Sequence, residues 1–321
     1  MGRGGHMDRA VQRGMPGRRR ETGGVLVVGF AAAALLAEVL VRGGPVDRHI
    51  PVTYLHVSID RTAALVVLAA LFVPLERAFA RRAKPVFRPG WRADVVYFFV
   101  NNFFASAGTL VLIGALGLWL RELVPGAVHH AIVSQPGLVQ FAEAFLLSEI
   151  AEYWAHRSMH TFPALWRFHK VHHGITEMDW LASARLHPVD RALTRGSAFL
   201  PLFVFGFSQV TIGAFALFAA LQALAVHANV RWTFGPLAYL VATPQYHHWH
   251  HDAEAATNKN YAAKLPVVDW MFGSLHLPRR MWPDRYGIDE QSPMTYFGQL
   301  LWPFAPAARP AAFETERAEA A

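Results

Sequence analysis

At 321 residues, 53% hydrophobic and only 17% charged, with a mean hydropathy of +0.22, the chain is too apolar for an ordinary soluble domain of its length. It has no cysteine, which excludes disulfides, thiolate zinc sites, iron–sulfur clusters and thiol nucleophiles, and leaves any metal to nitrogen and oxygen ligands. The formal charge of +7 is not gathered into a basic stripe interleaved with aromatics, so nucleic acid is not an expected partner.

In chain order, residues 1–22 are Gly/Arg-rich and predict a disordered basic tail, with no cleavage pattern of a signal peptide after it. Four apolar runs follow that approach or exceed the roughly 20 residues needed to cross a bilayer as a helix. They are about Gly23–Val41, Thr62–Phe79, Val95–Leu120 and Leu138–Ala155. A fifth stretch, Ala198–Ala228, is interrupted near Gly206–Gly213 and predicts a helical hairpin.

Lys and Arg collect on the cytoplasmic side of a membrane. Here Arg3, Arg9, Arg13, Arg18, Arg19 and Arg20 precede the first run, and Arg77, Arg81, Arg82, Lys84, Arg88 and Arg92 follow the second. The intervening loops hold only Arg42, Arg48 and Arg61, then Arg121. Both termini and the 76–94 loop are therefore expected in the cytoplasm, and threading the chain brings His156 and His227 out on that same face. The expected fold is all-α: an integral membrane bundle of four main transmembrane helices plus the hairpin, with a cytosolic histidine-rich helical cap. One domain covers 23–305, its histidine-rich core runs over 149–276, and 306–321 reads as a disordered tail. The absence of cysteine and the Ala/Arg-rich composition point to a bacterial inner membrane.

The chemistry is carried by histidine. "HKVHHG" (169–174) and "HHWHHD" (247–252) hold seven histidines in twelve positions. His156 and His160 stand four apart; His169, His172 and His173 stand at i, i+3 and i+4, and His247, His250 and His251 repeat that pattern. On a helix each set shares one face, while His248 points about 100° away. With His227 these imidazoles exceed the four to six ligands of one first-row ion, so the spacing implies two metals. An all-imidazole set suits iron and tolerates copper, manganese or zinc, and the HExxH of zinc hydrolases is absent. His6, His49, His56, His129, His130 and His276 lack such spacing and read as structural.

Glu149, Glu152, His156 and His160 form one stripe up the fourth helix. Acids in a span face a partner or cavity, and Asn101 and Asn102, at similar depth on the third helix, are the expected partners at the floor of the site.

Taken in order, "EYWAHRSMH" (152–160), "FHKVHHGITEMDW" (168–180), "ARLHPVD" (184–190), "VHAN" (226–229), "TPQYHHWHHD" (243–252) and "LPVVDWMFGSLHLP" (265–278) resemble the fatty acid hydroxylase / sterol desaturase superfamily of membrane enzymes. The resemblance covers about residues 92–287. It implies a non-haem di-iron centre that uses O2 and two electrons to hydroxylate or desaturate a lipid C–H bond, the lipid being a sterol, fatty acyl chain, carotenoid or ether lipid drawn from the bilayer. Carried over by position, the ligands are His156, His160, His169, His172, His173, His227, His247, His250 and His251. Glu152 is expected in a catalytic role, and His187 beside the metals in a supporting or substrate-side one; Asp179, Asn229 and Asp252 are candidates to orient ligand N–H groups. The stretch after His227 reads "HANVRW", without the second histidine that some relatives carry, which implies a more open second metal or recruitment of His248 or a water.

No flavin or dinucleotide fingerprint is present, so electrons are expected from a separate ferredoxin- or cytochrome b5-like donor. Lys259, Lys264, Arg279, Arg280 and Arg285 offer a basic docking surface for it. The competing reading is a histidine-rich membrane metal transporter or metal-binding protein, for which the spans offer few polar residues.

Overall fold

The computed structural model describes residues 61–254 and 258–306. The first apolar run, the basic tail and nearly all of the C-terminal tail lie outside the described residues. Among the described residues the chain is helical, with two isolated bridges, Ala80 to Val230 and Asp252 to Tyr286, as its only β pairing.

Helix α1, Arg61–Phe79, is apolar nearly all round, and Phe72 is its one buried residue. One side, with Leu65, Leu68, Phe72 and Leu75, packs against Trp180 and Leu224, and the apolar side with Val66, Val67 and Leu71, exposed among the described residues, suits lipid. Helix α2, Trp91–Leu112, runs through a π-helical turn, Ile113–Gly117, into α3, Leu118–Glu122, and covers the expected third run. After α4, Gly126–Val133, comes α5, Gly137–Thr161, the longest helix of the fold. Of these elements and those below, α1 and α8 have the length and hydropathy to cross a membrane; α5 has the length but carries Glu143, Glu149 and Glu152.

Proline sets the boundaries around the histidines. Phe162 precedes Pro163 and is extended, as the clash with a following proline ring requires. The chain therefore breaks between α5 and α6, Pro163–His173, with Pro163 in the first turn of α6, where its missing N–H costs nothing. Helix α7, Pro188–Phe205, starts the same way and ends on Gly206 at φ +77°, the left-handed cap that glycine accepts. Ser208 then caps α8, Gln209–His227, by accepting from the Thr211 N–H. This pair is the expected hairpin, but α7 begins ten residues before the apolar run, because its first turns carry Asp190, Arg191, Thr194 and Arg195. Thr243 caps the short α9, Pro244–His250; α10, Pro266–Met271, packs on it through Val268 and Tyr246, and α11, Tyr296–Leu301, packs on α2 through Tyr296 and Tyr97.

Helices α5, α7 and α8 pack on one another through Ala144, Ala198, Leu202, Phe207, Phe215 and Ala219. Small residues at the contact let the backbones approach closely. A second core of Tyr153, Val226, Ala242, Tyr246, Tyr261 and Val268 sits under the histidine region. A buried ion network ties α2 to the segment after α6: Arg88 binds Asp179 at 2.5 Å and Asp94 at 2.6 Å, and Arg185 binds Asp94 at 2.6 Å.

The polar stripe is satisfied otherwise than expected. The Asn101 amide donates to the carbonyls of Ala184 (2.9 Å) and Leu186 (2.7 Å), not to Glu149; the side chain of Asn102 lies outside the described ones. Glu149 accepts from the backbone N–H groups of Lys264 (2.9 Å) and Leu265 (3.1 Å) and from the Lys264 ammonium at 3.1 Å, and Glu152 accepts from the same ammonium. Lys264 is buried and so does not belong to a basic docking surface: two carboxylates on successive turns of α5 draw it inward.

Candidate metal centre

The nine expected imidazoles converge, and they divide into two groups. His156, His160, His169, His173 and His250 form one; His172, His227, His247 and His251 form the other; within each group the ligand nitrogens all lie within 4.8 Å of one another. Helix geometry decides the division. Helix α6 gives its i, i+4 pair, His169 and His173, to the first group and the i+3 residue, His172, to the second. Helix α9 does the reverse, giving His250 to the first group and His247 and His251 to the second. Helix α5 adds His156 and His160 to the first group, and the end of α8 adds His227 to the second.

The ring tautomers follow from the outer partners. The Nδ1–H of His156 donates to the Tyr261 carbonyl (2.7 Å), that of His169 to the Asp190 carboxylate (2.8 Å), and that of His172 to the Arg185 carbonyl (2.9 Å). His227 donates likewise to the Ala223 carbonyl (2.7 Å) and His250 to that of Lys259 (2.8 Å). The four carbonyls can only accept, and so does the Asp190 carboxylate in its ionised form, so each Nδ1 carries the proton and each neutral ring turns a bare Nε2 lone pair inward. Yet the Nε2 atoms of His156 and His169 stand 3.0 Å apart, and those of His172 and His227 3.3 Å apart. Neither pair has a hydrogen to share. Burial holds His169, His172, His173, His247, His250 and His251 well below the ordinary histidine range, reinforced by neighbouring imidazoles, so protonation does not relieve the opposition. The buried Nε2 of His160 has no hydrogen-bond partner. Converging lone pairs on rings oriented from outside are what a pair of metal cations requires.

The remaining candidates fall outside the two groups. His248 turns away: its Nδ1 pairs with the Tyr286 hydroxyl (2.8 Å), its Nε2 lies 3.4 Å from the His227 carbonyl, and burial pushes it down to about 3. His187 caps α7, its Nδ1 accepting from the Val189 N–H (3.1 Å) and its Nε2–H donating to the Leu300 carbonyl (3.2 Å); it reaches the site only through the helix that carries Asp190. Asp179 is committed to Arg88 and Lys84, and Asn229 to the backbone of Arg82. Asp252 forms the bridge to Tyr286. Helix-face spacing cannot find Asp190, because the contact crosses from α7 to α6; its sign in sequence is its place at the end of the "ARLHPVD" motif, just before an apolar run.

A cavity of about 100 Å³ opens beneath the histidines between α5, α7 and α8. Three of the four histidines in the second group line it, His172, His227 and His247, against His156 and His169 of the five in the first. Glu152 and Lys264 lie in its wall, with Leu186, Ala219 and Val226 supplying apolar surface.

Residues 141–274 match the fatty acid hydroxylase family. An ornithine lipid hydroxylase of Rhizobium tropici is 27% identical over 253 residues, which cover 76% of this chain and 73% of the relative. A very-long-chain aldehyde decarbonylase of Oryza sativa is 26% identical over 48% of this chain and 57% of its own length. A methylsterol monooxygenase of Arabidopsis thaliana is 22% identical over 54% and 59%. The chain thus spans a little over half the length of the latter two. No solved structure matches.

Proposed function

From a membrane oxidoreductase that carries a fatty acid hydroxylase domain at residues 141–274, we propose a non-haem di-iron oxygenase that hydroxylates or desaturates a C–H bond of a lipid. The observation that carries this reading is the pair of inward-facing sets, five imidazole nitrogens in one and four in the other. Two iron ions bound there supply the activation of O2 that an unactivated C–H bond demands. In hydroxylation, O2, two electrons and two protons give one C–OH and one water. The electrons come from a separate ferredoxin- or cytochrome b5-like donor, for which the exposed Arg279, Arg280 and Arg285 provide a basic approach.

The chain's own contribution is orientation and exclusion. Asp190 and the carbonyls of Tyr261, Arg185, Ala223 and Lys259 hold the rings in one tautomer and one direction. Burial of the cluster keeps water from the reacting atoms. Glu152, held against Lys264, is the carboxylate of the cavity wall and a catalytic candidate; His187 acts through α7. In this reading α1, α2, α5 and the α7–α8 hairpin, with the run before residue 61, make a multi-pass bundle whose histidine cap faces the cytoplasm. The substrate, a sterol, acyl chain, carotenoid or ether lipid, enters sideways from the bilayer.

Metal analysis of the detergent-purified protein is the direct test. Close to two irons per chain, lost in a His172→Ala/His250→Ala variant, together with O2-dependent turnover of a lipid, is the expected result. Zinc with hydrolysis, or readily exchangeable ions without turnover, would send the assignment to a hydrolase or a transporter.

A further inference from the structure

The cavity under the histidines is lined by three cations, Arg191, Arg195 and Lys264, against one carboxylate, Glu152. Lys264 is paired with Glu149 and Glu152, and the Asp190 carboxylate accepts from the neutral His169 ring through one oxygen, while its Oδ1 has no hydrogen-bond partner among the described residues. The two arginines are left over. They stand four apart on α7, so one face of the helix presents both guanidinium groups to the cavity. Neither makes a hydrogen bond or close ion pair with a described residue, only longer-range attraction to Glu152 and, for Arg191, to Asp190, while Arg195 repels Arg191. The buried Nε of Arg191 has no partner.

Two half-buried like charges with unused donors are costly side by side in a small cavity. A planar guanidinium fork is built for carboxylate or phosphate oxygens. We propose that Arg191 and Arg195 bind the anionic group of the lipid substrate, so that the enzyme acts on an anionic lipid. The proposal deepens the oxygenase reading and rests on it for the word substrate. The cavity is small, about 100 Å³. Imidazoles of both groups and both guanidiniums share that volume, so the oxidised carbon lies close to the anionic group and not at the far end of the chain.

The test is binding to the full-length protein in detergent, read by scintillation proximity with tritiated hexadecanoic acid. Unlabelled hexadecan-1-ol, hexadecyl phosphate and sodium acetate serve as competitors. The acid is expected to bind at least about tenfold more tightly than the alcohol, the scale of charge-assisted hydrogen bonds. Arg191→Gln/Arg195→Gln is expected to remove that preference by weakening the acid alone, and Arg191→Lys/Arg195→Lys to retain part of it. Hexadecyl phosphate competing better than the acid supports the proposal and identifies the anion as a phosphate. Equal affinity for acid and alcohol, no saturable binding of the acid, or acetate competing as well as the long-chain acid each overturns it. So does equal loss of acid and alcohol binding in the glutamine variant. If the glutamine variant does not fold, the wild-type comparison still decides. Iron measured in the same samples reports on the histidines separately: two irons without acid preference sinks the arginine assignment alone, and acid preference without iron sinks the oxygenase reading alone.

Discussion

The five-histidine and four-histidine groups are made from the same parts in unequal number. Each takes an i, i+4 pair from one HxxHH helix and the single i+3 histidine from the other. The first group then gains a second i, i+4 pair from α5, which continues through His160 to Thr161. The second gains only His227, because α8 ends there and Ala228 leaves the helical conformation. Where a further turn would place a fifth imidazole, the chain has Arg231. The difference teaches that ligand number here is a matter of where a helix stops. The group with fewer imidazoles is also the one that more fully lines the cavity, so in the oxygenase reading the more open site would face the substrate.

The largest effect should come from removing a ligand on the sparse side. His227→Ala leaves three imidazoles in its group, and we expect turnover to fall on the order of 100-fold or more with loss of bound iron. His160→Ala leaves four in the other group and should cost less; equal losses in iron content and turnover would abolish the distinction between the groups. Next comes the outer partner peculiar to the first group. Asp190→Ala removes the acceptor of the His169 Nδ1–H, and weakening of metal affinity by about 10- to 100-fold is expected, read by competition with a chelator. Retained affinity would mean that the carboxylate does not orient the ring.

A stability effect should follow at Lys264, whose ammonium is buried between Glu149 and Glu152. Lys264→Met leaves Glu152 without its ammonium partner and Glu149 with only its two backbone N–H groups, and breaking a buried pair in this way costs about 3–5 kcal/mol, seen as a lowered melting temperature. Glu152→Ala leaves Glu149 as a partner for the lysine, so a loss of activity or iron larger than its loss of stability would mark a role in the site.

A further effect is in acid. Chelator-treated protein holds its cluster histidines neutral, since burial lowers their folded pKa. Below about 6.5 the unfolded chain binds protons that the folded one refuses. Stability contributed by these groups is therefore present above that pH and lost as pH falls through it. Iron should carry the slope on to lower pH, by keeping the same folded-state lone pairs from protons; identical profiles with and without metal would indicate that the histidines are not its ligands.

Much of this could be read in the linear chain. The HxxHH and HxxxH spacings put the right imidazoles on shared faces, because helix periodicity is a local property. The turn at Gly206 showed as a break in the apolar run. Other features were hidden for physical reasons. Lys264 reads as a surface charge until α5 brings two carboxylates beside it. Asn101 was matched to Glu149 by depth, but its partners are carbonyls of a loop more than eighty residues away. The early start of α7 escaped hydropathy because its first turns are polar.

By itself, the sequence determined which atoms can bind metal, since a chain without cysteine and with clustered histidines has few other choices, and which segments are apolar enough to seek lipid. Tertiary structure alone decided how the nine imidazoles divide, which nitrogens turn inward, that His248 stays out, and that the Arg191 and Arg195 guanidiniums stand beside them with no hydrogen bond or close ion pair to a described residue. Those outcomes depend on contacts between helices far apart in the chain, and no local period encodes them.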